Sequence, residues 1–201
     1  MKTFLISNPS GIPIEGKTET LQMPVSWIFV PDSALSNAGK PFFIPEGEDF
    51  VNVALSPFFR ISRLGKTISP KFSPRYIDSV AAGLHFSLPA YAEKLKKNGL
   101  PGEAALSFDR AFFYGDFLPL DNLNREDTIF RLIIDDEEKA SWSLKSSLTA
   151  LDVLIAEISR LNTVKIGDLI IPDQSQEFPV RIGSKVLVTD DKDVLLTVKI
   201  K

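Results

Sequence analysis

The clearest periodicity in the chain is helical. Leu144, Leu148, Leu151, Ile155 and Ile158 recur at spacings of three and four, which places them on one stripe of a helix of about five turns. A shorter helix is predicted over Pro89–Asn98. It has proline in its first turn, lysines in its last and Gly99 as the stop. The other apolar segments are short and rich in β-branched or aromatic residues, so they read as strands. They are Val25–Val30, Phe42–Ile44, Phe58–Ile61, the later half of Tyr76–Phe86, Ile129–Ile134, Asp168–Ile171, Lys185–Val188 and Val194–Ile200. Strands outnumber helices and do not alternate with them regularly, which predicts an α+β architecture with few helices. Three phenylalanine doublets, Phe42-Phe43, Phe58-Phe59 and Phe112-Phe113, would point to opposite faces of a strand. Core packing accounts for most of them, and an aromatic dimer interface is the functional alternative. Pro57 marks the strand at Phe58 as irregular or at an edge.

Composition narrows the chemistry. The 201 residues fit one domain, 1–201, with no linker or internal repeat to divide it. There is no cysteine, and His85 is the single histidine. Disulfides, thiolate nucleophiles, iron–sulfur clusters and two-histidine metal motifs are excluded, and a serine triad would have to use His85. Chemistry here would run on carboxylates, hydroxyls, lysines and arginines. The net charge is −3 and no segment concentrates positive charge, so nucleic acid is not an expected partner. Lys94, Lys96 and Lys97 read as a solvated helix face. No Gly-x-Ser-x-Gly elbow, Gly-x-Gly-x-x-Gly fingerprint or P-loop occurs, so no nucleotide cofactor is expected. The apolar stretch at Phe4–Ile6 is too short for a signal peptide, and no window is long enough to span a bilayer. No membrane partner is expected, and a cytoplasmic location is.

The order of the motifs resembles the fumarylacetoacetate hydrolase family. Pro24–Pro45 (PVSWIFVPDSALSNAGKPFFIP) is similar to that family's opening segment. Arg63–Ile68 (RLGKTI), Asn98–Asp109 (NGLPGEAALSFD), Gly115–Pro119 (GDFLP) and Asn162–Ile170 (NTVKIGDLI) follow in the family's order, with the long helix before the last. The resemblance implies a mixed β-sandwich roll with few helices, commonly dimeric. It also implies activity on keto acids such as acylpyruvates, oxaloacetate or fumarylacetoacetate-like compounds. In active members Mg²⁺, Mn²⁺ or Ca²⁺ is held by a Glu-x-Glu pair and a later aspartate, oxygen ligands that suit hard cations.

The same resemblance implies that the ligands are missing. Counted from Gly65 and Gly99, the three metal positions fall on Ala54, Ser56 and His85. The family's lysine falls on Leu106, its tryptophan on Gly102, its Arg-Asp on Pro89-Ala90, and a threonine at the start of the long helix on Leu144. Its Thr-Gly-Thr-Pro loop becomes Pro172-Asp173-Gln174-Ser175, and the histidine and glutamate of its hydrolytic members fall near Pro13 and Glu15-Gly16. The scaffold is kept and the chemistry lost, which implies a catalytically degenerate member with a small-acid-binding or structural role. The alternative is an active hydrolase, decarboxylase or isomerase with a site rewired around His85, and a third is a subunit that supports an intact paralogue.

The candidate site residues follow. His85 is a general base or residual ligand, or else a histidine bonded within a remodelled pocket. Ser56, His85, Asp109 and Asp173 are the candidate substrate contacts, although Asp109 reads chiefly as orienting its loop. No metal is expected. Asp168 is expected to cap a turn. Glu46, Glu48 and Asp49 read as a solvated loop, with a cation site as the alternative. Asp135–Glu138 stands where the family has a hairpin turn and reads as a hairpin loop.

Overall fold

The computed structural model describes residues 1–7, 25–172 and 175–201. The first strands are β1 (Thr3–Ile6), β2 (Trp27–Val30), β3 (Leu35–Asn37), β4 (Val51–Leu55) and β5 (Phe58–Ile61). Then come β6 (Ile77–Ala81), β7 (Gly83–Ser87), helix α1 (Pro89–Lys97), β8 (Phe112–Tyr114) and β9 (Leu118–Pro119). A hairpin of β10 (Ile129–Ile134) and β11 (Glu137–Ser143) leads into helix α2 (Leu144–Leu161). The chain closes with β12 (Leu169–Ile171), β13 (Phe178–Val180), β14 (Lys185–Thr189) and β15 (Val194–Lys199). Among the described residues these strands form three sheets, ordered β2-β1-β12-β5-β6-β9, β13-β4-β7-β8-β3 and β11-β10-β14-β15. Two pairings are parallel, β1 with β12 and β3 with β8. The result is the mixed α+β roll expected from the sequence.

The first two sheets meet along a seam where the chain changes sheet three times. It passes from β4 to β5 at Ser56-Pro57, from β6 to β7 at Ala82, and from β8 to β9 at Gly115–Phe117. Pro57 therefore sits at a bend, and β5 lies inside its sheet, not at an edge. Backbone bonds lace the seam: Ser56 N–H donates to Gly83 O at 2.9 Å and Gly115 N–H to Ala82 O at 3.0 Å. A Cβ on Gly83 would stand 2.4 Å from Ser56 O and from the Phe58 ring, so only glycine allows this approach. The later half of Tyr76–Phe86 is a strand as expected, β7, and the earlier half adds β6 in the other sheet, with the break at Ala82.

Two other expectations change. Phe42–Ile44 is no strand; Phe42 makes a single bridge to Ile200. Asp135 and Asp136 form the hairpin turn, both with positive φ as a tight two-residue turn requires, but Glu137 and Glu138 already belong to β11.

The core has two parts. The main cluster joins Val51, Val53, Leu55, Leu84, Phe86 and Phe113 to the inner faces of the third sheet and α2. On α2, Leu144, Leu151, Ile155 and Ile158 are fully buried as their spacing predicts, Leu154 joins them, and Leu148 is half-buried. Each fully buried leucine or isoleucine contributes about 1.5–3 kcal/mol. A smaller second cluster includes Leu5, Val30, Phe58, Ala81, Phe112 and Ile171. The doublets divide between the clusters. Phe59 and Phe113 join the main one, Phe58 and Phe112 the second, while Phe42 is buried and Phe43 exposed. No helix among the described residues is long and apolar enough to cross a membrane.

Candidate functional site

Strand alternation builds the candidate site on the face of the five-stranded sheet that turns away from the main core. β4 and β7 pair antiparallel with Ala54 opposite His85 and Asn52 opposite Ser87, and β8 sets Phe112 opposite His85. Because side chains alternate, Val53, Leu55, Leu84 and Phe86 point into the main core. Asn52, Ala54, Ser56, His85 and Ser87 share the other face. That face is shut off from water: Ala54 and Ser56 are 0% exposed and His85 is 1%.

Inside it, His85 is fixed on two sides. Its Nε2 lies 2.7 Å from the carbonyl oxygen of Leu106. A carbonyl only accepts, so Nε2 carries the proton and donates. The ring also lies flat on Phe112, with centroids 4.1 Å apart and planes 3° from parallel. Leu106 follows the one-turn helix Glu103–Ala105, on a loop that backbone bonds hold against β7: Leu88 N–H to Ala105 O, and Phe86 N–H to Ala111 O. Ser56 Oγ and Ser107 Oγ are buried with no hydrogen-bond partner among the described residues. Buried hydroxyls normally have one.

The segment after β12 returns to β4. Ser175 N–H donates to Leu55 O (2.9 Å), and Leu55 N–H donates to the Ser175 side-chain oxygen Oγ (2.9 Å). Two residues on, the exposed Glu177 carboxylate accepts from Ser87 Oγ at 2.9 Å and Asn52 Nδ2 at 3.0 Å. It thereby bridges β4 and β7 at the rim of the buried face. Tyr114, on β8, has its phenol pushed up, first by burial and then by the negative charge of Asp32.

Ala54, Ser56, His85 and Leu106, which the family resemblance assigns to one site, lie together on this face. Asp109 does not join them in the buried layer: its side chain is exposed. Backbone bonds tie down the loop that carries it, Arg110 N–H to Ser33 O and Ala111 N–H to Phe108 O. Asp173, Gln174, Pro13, Glu15 and Gly16 lie outside the described residues. Asp168 caps the turn before β12, accepting Lys165 N–H, and it also accepts the Lys2 N–H and pairs with its ammonium at 2.9 Å. Glu48 is no free loop carboxylate. It accepts the N–H groups of Ala90 (3.2 Å) and Tyr91 (2.8 Å) and so caps α1. With Glu46, Leu88 and Lys94 it borders a surface groove of about 450 Å³. Sequence reasoning missed Glu177, whose partners lie 90 and 125 residues away and leave no local signal.

The residues at the three implied ligand positions do not fit a hard divalent cation, which needs several oxygen donors, some of them charged. Ala54 offers none, Ser56 a neutral hydroxyl, and His85 a neutral imidazole nitrogen in place of a carboxylate oxygen. No group of three or more histidine, aspartate or glutamate side chains among the described residues is arranged to hold a metal ion.

No family model matches the sequence. The chain is 24% identical over 170 residues to the oxaloacetate tautomerase YcgM of Escherichia coli K12, covering 83% of this chain and 78% of that protein. It superimposes on a Yersinia pestis CO92 protein assigned to the fumarylacetoacetate hydrolase family with a TM-score of 0.81 at 21% identity, covering 100% and 92% of the two chains. The fumarylpyruvate hydrolase of Pseudomonas aeruginosa, solved with Mn²⁺ and pyruvate, gives a TM-score of 0.81 at 17% identity over 100% and 89%. Three sheets in this order, two helices and these superpositions establish that the chain has the fold of the fumarylacetoacetate hydrolase family.

Proposed function

We propose that this chain is a catalytically degenerate relative of the enzymes whose fold it shares. Residues 1–201 form a single domain, a cytoplasmic homodimer that binds a small carboxylic or keto acid or serves as a structural subunit. The observation that carries this reading is the state of His85. It is buried at 1% exposure, bonded to the Leu106 carbonyl and stacked on Phe112, beside a fully buried Ala54. A ring held in this way supports packing better than proton transfer. The ligand set at Ala54, Ser56 and His85 supports no hard-cation chemistry. Calorimetry with Mg²⁺ and Mn²⁺, run beside oxaloacetate and acylpyruvate turnover, tests the reading. No tight metal binding and no metal-dependent turnover is the expected result, and metal-dependent turnover sinks it.

A second reading has support of its own. A relative covering 83% of the chain is an oxaloacetate tautomerase, and tautomerisation asks for little more than a placed proton donor and acceptor. His85 and the rim carboxylate Glu177 are the groups that would serve, and the pyruvate of the Pseudomonas enzyme indicates the ligand class. Turnover abolished by Glu177→Gln and by His85→Gln, in protein that stays folded, would favour this reading. Co-purification with an intact paralogue would favour a supporting subunit.

A further inference from the structure

Away from the buried face, three segments meet at one end of the molecule: the turn after β5, the end of α2 with the turn before β12, and the start of β1. Backbone bonds lock them together. Gly65 and Val164 exchange both N–H to O bonds (3.0 and 2.9 Å), Thr67 N–H donates to Ser159 O, and Gly167 N–H to Ile61 O. Lys2 Nζ donates to Thr163 O at 2.8 Å. This rigid base holds out Leu64, Leu161 and Ile166, which are 65%, 62% and 75% exposed. Single exposed aliphatics are ordinary, but three on one tied surface expose apolar area on the order of 300 Å², the scale at which patches are often functional.

Charge surrounds them unevenly. Arg63, Lys66 and Lys165 are exposed and have no ion-pair partner among the described residues. Arg160 and Lys2 stand beside them, paired to Glu157 and Asp168. Five cations against two carboxylates leave this end positive on a chain whose net charge is −3. The rest of the molecule is correspondingly acidic.

We propose that this end docks a different protein, through an apolar patch ringed by carboxylates. Charge complementarity selects the sign of the partner, and the cross-tied base makes the surface preorganised, which lowers the ordering cost of association. An anionic bilayer is the competing occupant, and vesicles of that charge separate the two.

The test is an NMR titration of the full chain with an amphipathic helical peptide of leucine, alanine and glutamate, with a lysine-for-glutamate version as control. Phosphatidylcholine–phosphatidylserine vesicles are the comparison probe. Amide shifts should centre on residues 62–67 and 160–168. Affinity should fall about tenfold or more between ~0.05 and ~0.5 M salt, and by a similar factor in K66E/K165E. Both substitutions lie on exposed side chains and leave the fold intact. Absent shifts, shifts elsewhere, equal binding of the lysine peptide, or vesicle binding as strong as the peptide's would each overturn the proposal. So would a concentration-dependent self-association abolished by L64E/I166E, which would make this end an interface between copies of the chain.

Discussion

The five-stranded sheet has two buried faces of opposite character. One carries Val51, Val53, Leu55, Leu84, Phe86 and Phe113, all at 0% exposure within the main core. The other carries Ala54, Ser56, His85 and Ser87, at 0 to 5% exposure, against the smaller cluster. Water is excluded from both, so burial alone does not distinguish them. What differs is how each side chain is compensated. The first face is hydrocarbon packed on hydrocarbon, where every atom removed is lost transfer energy and contact. The second holds polar groups that need partners, some of which have them and some not. A buried polar layer of small residues is poor material for stability, because each polar group must find a partner to offset its desolvation.

Substitutions on the two faces should separate accordingly. Phe86→Ala should have the largest effect, a loss of about 3–5 kcal/mol, because the ring is fully buried and stacks on Phe42 at 4.1 Å. Chemical denaturation measures it, and a loss near 1 kcal/mol would mean that this face is loosely packed. His85→Leu should cost less, about 1–3 kcal/mol. It keeps apolar contact with Phe112 but strands the buried carbonyl of Leu106. If His85→Leu were instead neutral, the bond to Leu106 would not fix the ring, and the packing account of His85 would fail with it.

Ser56→Ala should move stability the other way. Its hydroxyl is buried without a partner among the described residues, so deleting it removes a desolvation cost and should raise stability by up to about 1 kcal/mol. A loss of stability on this substitution would reveal a partner for the hydroxyl and weaken the contrast between the faces. Opposite signs for Phe86→Ala, on β7, and Ser56→Ala, at the end of the neighbouring β4, are the signature to look for.

Local patterns in the sequence were enough to draw much of this sheet system and not its joints. β5 and β10 have the expected boundaries, since each is a short apolar run closed by a turn signal. The start of β11 carries a loop-like pattern, since Glu137, Glu138 and Lys139 face water and only Ala140 and Trp142 further on turn inward. The expected strand at Phe42–Ile44 is reduced to a bridge with the last residues, where Phe42 N–H donates to Lys199 O, Ile44 N–H to Lys201 O and Lys201 N–H to Phe42 O. At the site, the family resemblance implied that Ala54, Ser56, His85 and Leu106 share one place. It could not reveal the bond from His85 to the Leu106 carbonyl, the Glu177 bridge or the Glu48 cap. Those are backbone or long-range contacts that depend on how the sheets bend at the seam, and no local pattern encodes them.

The smallest expected effect lies outside the comparison and serves as its control. Asp152, on α2, borders a cavity of about 220 Å³ with Ile77, Leu120 and Leu148, and burial pushes its carboxyl up from the usual aspartate range. The folded chain therefore holds this proton to higher pH than the unfolded chain does. Well below the unfolded value of about 3.9 both states are protonated and the group is neutral in its effect. As pH rises through the folded value, ionisation carries its burial cost and stability falls, reaching its full deficit above it. Asp152→Asn should recover that deficit at neutral pH and show no gain in acid. The carboxyl is only partly buried and solvent screens it, so the gain should stay under about 0.5 kcal/mol. Thermal unfolding of both proteins at pH 3.5 and pH 7 reads the difference. A gain equal at both pH values would trace the effect to packing on α2 and not to the charge, and would remove Asp152 as an electrostatic reference for the buried polar face.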